Sequence, residues 1–350
     1  MKKLSLLLLC VALVVMSFAG CSKPAATEEA AATDATPAAT VEDTVEPIVI
    51  QIGYANNPGE PLDLAVNEWK RLIEERSNGE IVMEIFPSSQ LGSKNDLIDQ
   101  MLAGDSVITL ADGAFYADRG VADFGIVFAP FVFDSWDEAW NLTKSDWYQE
   151  QSDQLAEKGL RILTSNWKYG DRHTMTVKPV RTVEDLKGMK IRVPNNTIQI
   201  KGFEALGATP TPMALGEVYT SLQQGTIDGL ENPLTVLYNG KFQEVAKYLI
   251  LDGHVKNFTT WVAGEEFFNS LTPEQQQLLK ETGDEAGIYN NDIQDKIAAE
   301  TIEKLKAEGV EIIDINIDEF KDKAMSFYDM PEIKAMWSEG LYDTVKDAMK

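Results

Sequence analysis

The stretch "EVYTSLQQGTIDGLENP", residues 217–233, decides the fold. It predicts a helix that Gly225 closes, then the short strand "TIDGL", then polar Glu231 and Asn232 where the strand ends. "DLIDQMLAGDSVITLADG", residues 96–113, repeats this order of helix, glycine, strand and polar exit. The echo indicates either two lobes built alike around a shared cleft, or two ordinary α/β units.

The first part of the chain alternates short apolar runs with amphipathic stretches. Strands are predicted for "PIVIQIGYA", "EIVMEIF" and "SVITLAD", residues 47–55, 80–86 and 106–112, and helices for residues 61–79 and 94–104. This alternation predicts an α/β sheet with helices on its faces. Ligands of such sheets bind beyond the carboxyl ends of the strands, which points to the exits "ANNPGE", "PSSQLG" and "ADGAFY".

A long helix is predicted for residues 271–309. Thr272 and Gln275 have the spacing of a capping box at its start. The helix is far longer than the average helix, so it is long enough to brace two lobes. Gly283 and Gly287 weaken its early part and predict a bend there.

Composition indicates an ordinary folded protein with an acidic surface. The 350 residues are 44% hydrophobic and 25% charged, which is enough for two domains or one large one. The 56 acidic and 31 basic residues give a formal net charge of -25. Such a surface repels phosphate backbones and anionic lipids, so nucleic acid and direct membrane binding are not expected. A small anion remains possible, because a local arginine can outweigh a distant, screened field.

The first residues are typical of an export signal. Two lysines precede an apolar run over residues 4–15, which suits a secretory signal and is too short to span a bilayer comfortably. "SFAGC" then resembles a bacterial lipobox, so we expect residues 1–20 to be a lipoprotein signal peptide and Cys21 to carry the lipid. The alternative is a standard cleavage site with an incidental cysteine. Cys10 is lost with the leader, so no disulfide is expected in the mature chain.

Residues 21–46 are predicted to be a disordered tether. Alanine, threonine, glutamate and proline dominate this segment, which has almost no large apolar side chain. It cannot bury enough surface to offset its ordering entropy. The folded body is therefore expected to begin near Pro47 and to hang from a lipid anchor.

No catalytic or metal-binding motif is present in the sequence. It contains two histidines and lacks the zinc-protease, paired-cysteine, nucleophile-elbow, P-loop and dinucleotide-binding patterns. An enzyme therefore has no positive support. Polar and aromatic residues at strand ends are the feature that stands out, namely Trp167, Tyr169, Arg172, Arg192 and Asn232.

Arg192 is the most informative of these residues. Its guanidinium is a planar, permanently charged fork that matches a carboxylate. Pro194 restricts the backbone just after it, so the side chain leaves the strand in a restricted direction. By pattern alone, Arg192 is a ligand contact, a surface residue or the partner of a neighbouring acid. Arg172 has the same alternatives, because Asp171 stands beside it.

Several long motifs resemble those of the substrate-binding proteins of TRAP transporters, the tripartite ATP-independent importers of organic acids. They are "DLKGMKIRVPNN", "ALGATPTPMALGEVYTSLQQGTIDGLENP", "KFQEVAKYL", "FPSSQLGS" and "LTPEQQQLL". They occur in the right order from about residue 48 to beyond residue 300. The resemblance implies a two-lobed α/β binding protein with two crossovers and a long helix spanning both lobes. Lobe I would comprise residues 47–168 and 258–297, and lobe II residues 169–257 and 298–350.

The resemblance also implies roles for single residues. The arginine of the "RVP" motif, Arg192, would clamp a ligand carboxylate, with help from Arg172 and Asn232. Asp112 stands where binders of sugar acids often have glutamate, and it would accept hydrogen bonds from ligand hydroxyls. The expected contacts are completed by Trp167, Asn195, Asn56, Phe115 and Tyr219.

Two positions depart from the pattern of sialate binders. The chain has Ala55 where they typically have asparagine, and Leu215 where they typically have phenylalanine. These differences put sialate in doubt. Asp171 adds a negative charge beside Arg172, and the pattern offers no reason for it.

The function predicted from these features is that of a lipid-tethered, extracytoplasmic receptor without enzymatic chemistry. It would close, as a monomer without a cofactor, on a sugar acid, a dicarboxylate or a 2-oxo acid and deliver it to a TRAP permease. One alternative is a receptor that reports to a membrane kinase. Another is a secreted hydrolase acting on acidic sugars.

Overall fold

The computed structural model describes residues 46–350, in which nine strands form one mixed sheet. The strands are β1 Ile48–Gly53, β2 Ile81–Phe86, β3 Val107–Ala111, β4 Leu160–Thr176, β5 Lys190–Val193, β6 Thr209–Pro212, β7 Gly229–Pro233, β8 Tyr248–Gly264 and β9 Glu311–Ile313. The predicted signal peptide, nearly all of the predicted tether and Cys21 lie outside the described residues.

Helices cover the sheet on both faces. They are α1 Pro61–Arg76, α2 Lys94–Leu102, α3 Gly113–Ala117, α4 Trp136–Leu142, α5 Asp146–Glu157, α6 Thr197–Ala205, α7 Val218–Gln223, α8 Leu234–Asn239, α9 Glu265–Ser270, α10 Pro273–Ala307, α11 Ile317–Ala324, α12 Pro331–Met336 and α13 Leu341–Ala348. Short 3₁₀ helices span Ala122–Phe128, Val183–Leu186, Leu215–Glu217, Phe242–Glu244 and Met325–Asp329. Across residues 46–350, every helix is too short or too polar to cross a membrane.

The order of the strands shows that the sequence echo reflects a repeated unit. Along the sheet the order is β2-β1-β3-β8-β4-β7-β5-β6, so β6-β5-β7 repeats the arrangement of β2-β1-β3. The three strands of each unit run parallel to one another. Gly104 and Gly225 end the two corresponding helices with φ of +94° and +70°, a conformation that glycine adopts without strain. The predicted α/β class is confirmed, and the units form the two halves of a two-lobed fold.

Two long strands join the halves. β4 and β8 are each 17 residues long and run antiparallel, from the pair Leu160 and Gly264 to the pair Thr176 and Tyr248. Their pairing shifts register at four places, so the ladder is irregular near its centre. β3 pairs with β8 in one half, and β7 pairs with β4 in the other. The strand exits of both units therefore meet over the irregular centre of this ladder.

The long predicted helix is confirmed as α10, a continuous helix of 35 residues with the predicted capping box. It lies over a buried cluster of three tryptophans, Trp69, Trp167 and Trp261, whose ring centroids are 5.3 to 6.1 Å apart. The indole of Trp69 donates to Thr282 Oγ1 at 3.1 Å, and the indole of Trp167 donates to the carbonyl of Gly283 at 3.0 Å. These bonds fix the helix to the sheet.

The two glycines of α10 allow this close packing. A Cβ at Gly283 would lie 2.6 Å from Thr164 Cγ2, and one at Gly287 would lie 2.3 Å from Asn166 Oδ1. The helix runs unbroken through both positions. Glycine occurs there because the backbone of α10 approaches β4 more closely than any side chain would permit.

We expect Gly287→Ala to lower the free energy of unfolding by about 1–3 kcal/mol, because overpacking against β4 outweighs the better helix propensity of alanine. Gly216→Ala is the matched control, since a Cβ there meets nothing within 4 Å. Urea unfolding of both variants measures the difference. Equal stability of Gly287→Ala and the wild type would contradict the steric argument.

The C-terminal helices cross back to the first half of the chain. α13 packs against α4 and α5, and Asn141 Nδ2 donates to the carbonyl of Met349 at 3.0 Å. β9 instead pairs with β8 at residues 248–250, beside the second unit. The residue ranges assigned to the two lobes stay a prediction.

Candidate functional site

A cavity of about 900 Å³, mouth included, lies where the strand exits of both units meet the centre of β4 and β8. Seven of the nine predicted contact residues line it. They are Arg192, Arg172, Asn232, Asp112, Asn195, Asn56 and Phe115. The rule that ligands bind beyond the carboxyl ends of strands therefore identifies the right edge of the sheet. Ala55 and Leu215, the two departures from the sialate pattern, also line the cavity.

Arg192 presents an unpaired cationic fork to the cavity. Its side chain is buried at the end of β5, and both Nε and Nη2 donate to the carbonyl of Met213, at 3.1 and 2.8 Å. Three of its five N–H groups thus remain without a protein acceptor among residues 46–350. No carboxylate in those residues forms a salt bridge with it. Arg192 is therefore neither a surface residue nor the partner of an acid within residues 46–350.

The electrostatic cost of this arrangement is visible in the pKa of Arg192. Burial lowers it to about 10, the attraction of Glu231 opposes this shift, and nearby Arg172 adds to it. The protein therefore holds a charged guanidinium in a site that disfavours its charge. An anion bound at the free face of the fork would relieve this cost.

Arg172 is also buried, but its charge is already compensated. Nε and Nη2 donate to the two carboxylate oxygens of Glu231, with 2.7 Å between Nη2 and Oε1, and Nη1 donates to Asn257 Oδ1 at 3.1 Å. The partner is thus Glu231 rather than the adjacent Asp171. Asp171 instead lies 3.7 Å from Lys256 Nζ. Arg172 contributes to the cavity wall as a rigid ion pair.

A buried chain of polar groups supports that ion pair from behind. His254 Nε2 lies 3.2 Å from Glu231 Oε2, and its Nδ1 lies 3.0 Å from Asp252 Oδ2. Burial opposes the charged imidazolium, but Asp252 and Glu231 outweigh it and raise the pKa of His254 to about 9. Burial also opposes the charge of Glu231, but Arg172 and His254 outweigh it and lower its pKa to about 2. His254 and Glu231 are therefore both charged at neutral pH.

The loop after β1 contributes the side-chain amide of Asn56 to the wall of the cavity. Asn56 Nδ2 donates to Glu60 Oε2 at 2.6 Å and to the hydroxyl of Tyr169 at 3.0 Å. Burial raises the pKa of Glu60 to about 7, against the effect of its bonds from Asn56 and Asn57. Tyr169, one of the aromatic residues that stand out at strand ends in the sequence, also lines the cavity. The bonds to Glu60 and Tyr169 therefore hold the neutral side chain of Asn56 in one orientation at the cavity wall.

The exit of β2 supplies a cation that the sequence analysis missed. Lys94, the first residue of α2, places Nζ 3.6 Å from Asp112 Oδ2 and 4.3 Å from the ring centroid of Phe115. Burial lowers the pKa of Lys94, partly offset by Asp112. Asp112 caps α3, where its Oδ1 accepts from Ala114 N at 3.1 Å. The sequence signal for Lys94 is its position two residues after "PSSQLG", at the start of the helix that follows this strand exit.

Trp167 and Tyr219 lie away from the cavity, contrary to their predicted role as ligand contacts. Trp167 belongs to the tryptophan cluster, where its N–H is bonded to α10. The hydroxyl of Tyr219 donates to Glu244 Oε2 at 2.6 Å. Both aromatic side chains serve packing and surface contacts instead.

The chemistry available in the cavity is that of binding. It brings together a free guanidinium, a compensated guanidinium, an ammonium–carboxylate pair and several amides and hydroxyls. Within residues 46–350, no cluster of three or more histidine, cysteine, aspartate or glutamate side chains has the geometry of a metal site. A two-lobed fold with such a cleft defines a receptor for a small anion.

Comparison with known proteins gives the family. The profile described as "DctP: Bacterial extracellular solute-binding protein, family 7" matches residues 52–334. The chain belongs to this family, and the predicted resemblance to TRAP substrate-binding proteins is confirmed. The 2,3-diketo-L-gulonate-binding periplasmic protein of Escherichia coli is 32% identical over 275 residues, covering 78% of this chain and 83% of that protein.

Solved structures of similar proteins share the whole fold. A TRAP periplasmic solute binding protein from Ochrobacterium anthropi with bound L-fuconate is 46% identical, has a TM-score of 0.83 and covers 87% of this chain and 100% of that one. One from Actinobacillus succinogenes with bound L-galactonate is 39% identical, also has a TM-score of 0.83, and covers 86% and 99%. The protein is therefore an extracytoplasmic solute receptor of a TRAP transporter.

Proposed function

We propose that the receptor binds a monocarboxylate sugar acid in this cavity and delivers it unchanged, as a monomer without a cofactor, to a TRAP permease. The observation that carries the proposal is the buried fork of Arg192, whose free N–H groups have no protein carboxylate among the described residues. A ligand carboxylate fits a planar guanidinium with two parallel hydrogen bonds.

The remainder of the cavity supports a ligand with hydroxyl groups. Asn195 and Asn232 line it with side-chain amides that have no hydrogen-bond partner among residues 46–350, and amides both donate to and accept from hydroxyls. The similar proteins with bound L-fuconate and L-galactonate hold polyhydroxy monocarboxylates. Among the organic acids that the sequence left open, a sugar acid is the one that uses these amides.

Opening and closing would follow from the lobes predicted from sequence, residues 47–168 with 258–297 and residues 169–257 with 298–350. The irregular pairing in the middle of β4 and β8 is where a hinge fits, since register shifts there interrupt the regular ladder. Closure would bring Asn56 and Asp112 of one lobe toward Arg192 of the other.

A thermal-shift screen of organic acids tests the proposed ligand class. The panel contains aldonates, uronates, dicarboxylates and 2-oxo acids, with the parent neutral sugars as controls. We expect the largest stabilisation from a sugar acid, and recovery of that ligand unchanged by mass spectrometry. A dicarboxylate or 2-oxo acid as the strongest ligand would contradict the ligand class, and conversion of an acidic sugar to products would favour a hydrolase.

We also propose that Cys21 carries a lipid that anchors the receptor to the cell membrane, on the strength of the "SFAGC" motif after an apolar run. Cys21→Ala is expected to move the protein from the membrane fraction to the soluble extracytoplasmic fraction. Cys10→Ala, within the leader, is the matched control and should remain anchored. An unmodified Cys21 peptide from wild-type protein, identified by mass spectrometry, would contradict the anchor.

A further inference from the structure

Lys94 and Asp112 form a pair of opposite charges at the end of the cavity built by the exits of β2 and β3. Asp112 is fixed, because Oδ1 caps α3 and leaves Oδ2 facing Lys94 Nζ at 3.6 Å. Lys94 is fixed by the ring of Phe115, 4.3 Å away, and 23% of its side chain is exposed. Both residues line the cavity.

We infer that Lys94 and Asp112 bind adjacent hydroxyls of the ligand and select polyhydroxy monoanions over dianions. The inference rests on the proposed function, in which Arg192 holds the single carboxylate. The contact of Asp112 with ligand hydroxyls is already implied by the family resemblance. The inference goes beyond it because it assigns Lys94 to the same end of the ligand and gives the basis of discrimination among acids.

The hydrogen-bonding capacity of the pair fits hydroxyl groups. An ionised carboxylate only accepts hydrogen bonds, whereas an ammonium group only donates them. A hydroxyl does both, so two neighbouring hydroxyls can donate to Asp112 and accept from Lys94 at once. A second ligand carboxylate would accept from Lys94 but would face Asp112 with a like charge.

The charge of the cavity points to the same class of ligand. Among residues 46–350, the acidic and basic side chains that line it are Lys94, Arg172, Arg192 and Asp112. Arg172 is compensated by Glu231 and Lys94 by Asp112, which leaves the charge of Arg192 alone. One bound negative charge therefore neutralises the cavity, and a second would be left uncompensated close to Asp112. Repulsion between Asp112 and a second ligand carboxylate would therefore give specificity, because binding sites often select a ligand by disfavouring its competitor.

Titration calorimetry with L-galactonate and galactarate tests the inference, because galactarate differs from L-galactonate by a second carboxylate in place of a terminal hydroxymethyl group. We expect wild-type protein to prefer L-galactonate. Asp112→Asn should shift the ratio of the two affinities toward galactarate by about tenfold or more, since the repelling charge is gone. Asparagine is also a good N-cap, so α3 keeps its start.

Lys94→Met should weaken L-galactonate binding by about tenfold or more without shifting the ratio toward galactarate. Methionine retains helix propensity and apolar contact with Phe115. Lys144→Met removes the same charge from an exposed position outside the cavity and should leave both affinities unchanged. Circular-dichroism melting of each variant confirms that it is folded.

The results distinguish a failure of the inference about Lys94 and Asp112 from a failure of the proposed sugar-acid function. If wild-type protein binds L-galactonate but the ratio stays within twofold of wild type in Asp112→Asn, the pair is not the selecting element. A wild-type preference for galactarate also overturns the inference, while the role of Arg192 stands. If neither acid binds and an acid without hydroxyls does, the proposed sugar-acid function fails, and this inference fails with it.

Discussion

Arg192→Ala is expected to raise the dissociation constant of a sugar-acid ligand at least about a hundredfold. The variant removes two charge-assisted hydrogen bonds, each of which contributes about 1.5–3 kcal/mol. Their combined loss of about 3–6 kcal/mol corresponds to a factor of a hundred or more in affinity. Titration calorimetry with the strongest ligand of the screen measures this change directly.

Stability without ligand separates this effect from unfolding. Because burial lowers the pKa of Arg192, its charge costs the folded state free energy at neutral pH. The variant without ligand is therefore expected to melt no lower than wild type, while its ligand-induced shift disappears. A variant that is folded and still binds with wild-type affinity would refute the assignment of Arg192.

Two control variants sharpen the result. Arg192→Lys keeps the charge but loses the planar fork, so we expect an intermediate loss of affinity. Arg71→Ala removes an exposed arginine from α1, where it contacts Glu68 and Glu75. That variant should bind the ligand as wild type does, because only the local cation matters in a chain of such negative net charge.

The parts of the fold that sequence predicted correctly have local signals. The strands β1 to β3, the helices α1 and α2, and the capping box of α10 follow from hydrophobic period and from cap residues a few positions apart. The boundary of α1 was overestimated by three residues, because the chain turns through Ser77 and Asn78 before Gly79. Helix ends depend on such turn geometry, which pattern alone does not fix.

The two long strands at the centre of the fold have no such local signal. β4 pairs with β8 although they are separated by some seventy residues of chain, and their register shifts four times. An interrupted ladder also interrupts the alternation by which strands are recognised. The close packing at Gly283 and Gly287 was not predictable for a related reason, since the contacts that require glycine there include residues of β4. The predicted bend of α10 stays a prediction.

Sequence predicted those residues of the candidate site whose position follows directly from the path of the backbone. Arg192, Asn232 and Asp112 lie at strand ends, so the sheet itself delivers them to the cavity. Lys94 was not predicted as a site residue, because it reaches the cavity through a long side chain from the first turn of α2. Trp167 was assigned to the site because aromatic residues suit both cores and ligand cavities. Only tertiary contacts distinguish these roles.

The partner of Arg172 was likewise out of reach of sequence. Asp171 is adjacent in the chain, yet successive side chains on a strand point to opposite faces. Glu231 comes from the neighbouring strand β7, whose pairing with β4 brings it opposite Thr174. Cross-strand pairing therefore determines which acid compensates the buried charge.

Glu231→Gln is expected to lower the free energy of unfolding at pH 7 by about 3–5 kcal/mol, because it leaves the charge of Arg172 buried without its partner. Glu231 is completely buried, and both of its carboxylate oxygens accept from that guanidinium. Urea unfolding measures the change. A loss below about 1 kcal/mol would show that solvent already screens the pair.

A second substitution separates charge from shape. In the double variant Arg172→Met and Glu231→Gln, the guanidinium that Glu231 compensates is removed together with its partner, so we expect the variant to recover part of the stability that Glu231→Gln loses. Strictly additive losses in the double-mutant cycle would contradict this, because groups that act only as packing do not compensate each other.

The pH dependence of the same difference gives an independent check with a definite sign. The pKa of Glu231 is lowered to about 2 in the folded protein, from about 4.3 for an unperturbed glutamate. Its stabilisation is therefore fully present above the unfolded value and is lost as pH falls toward the folded value. The gap between wild type and Glu231→Gln should thus narrow from about pH 5 downward, and a gap that stays constant to pH 3 would mean that the carboxylate is not the group that stabilises Arg172.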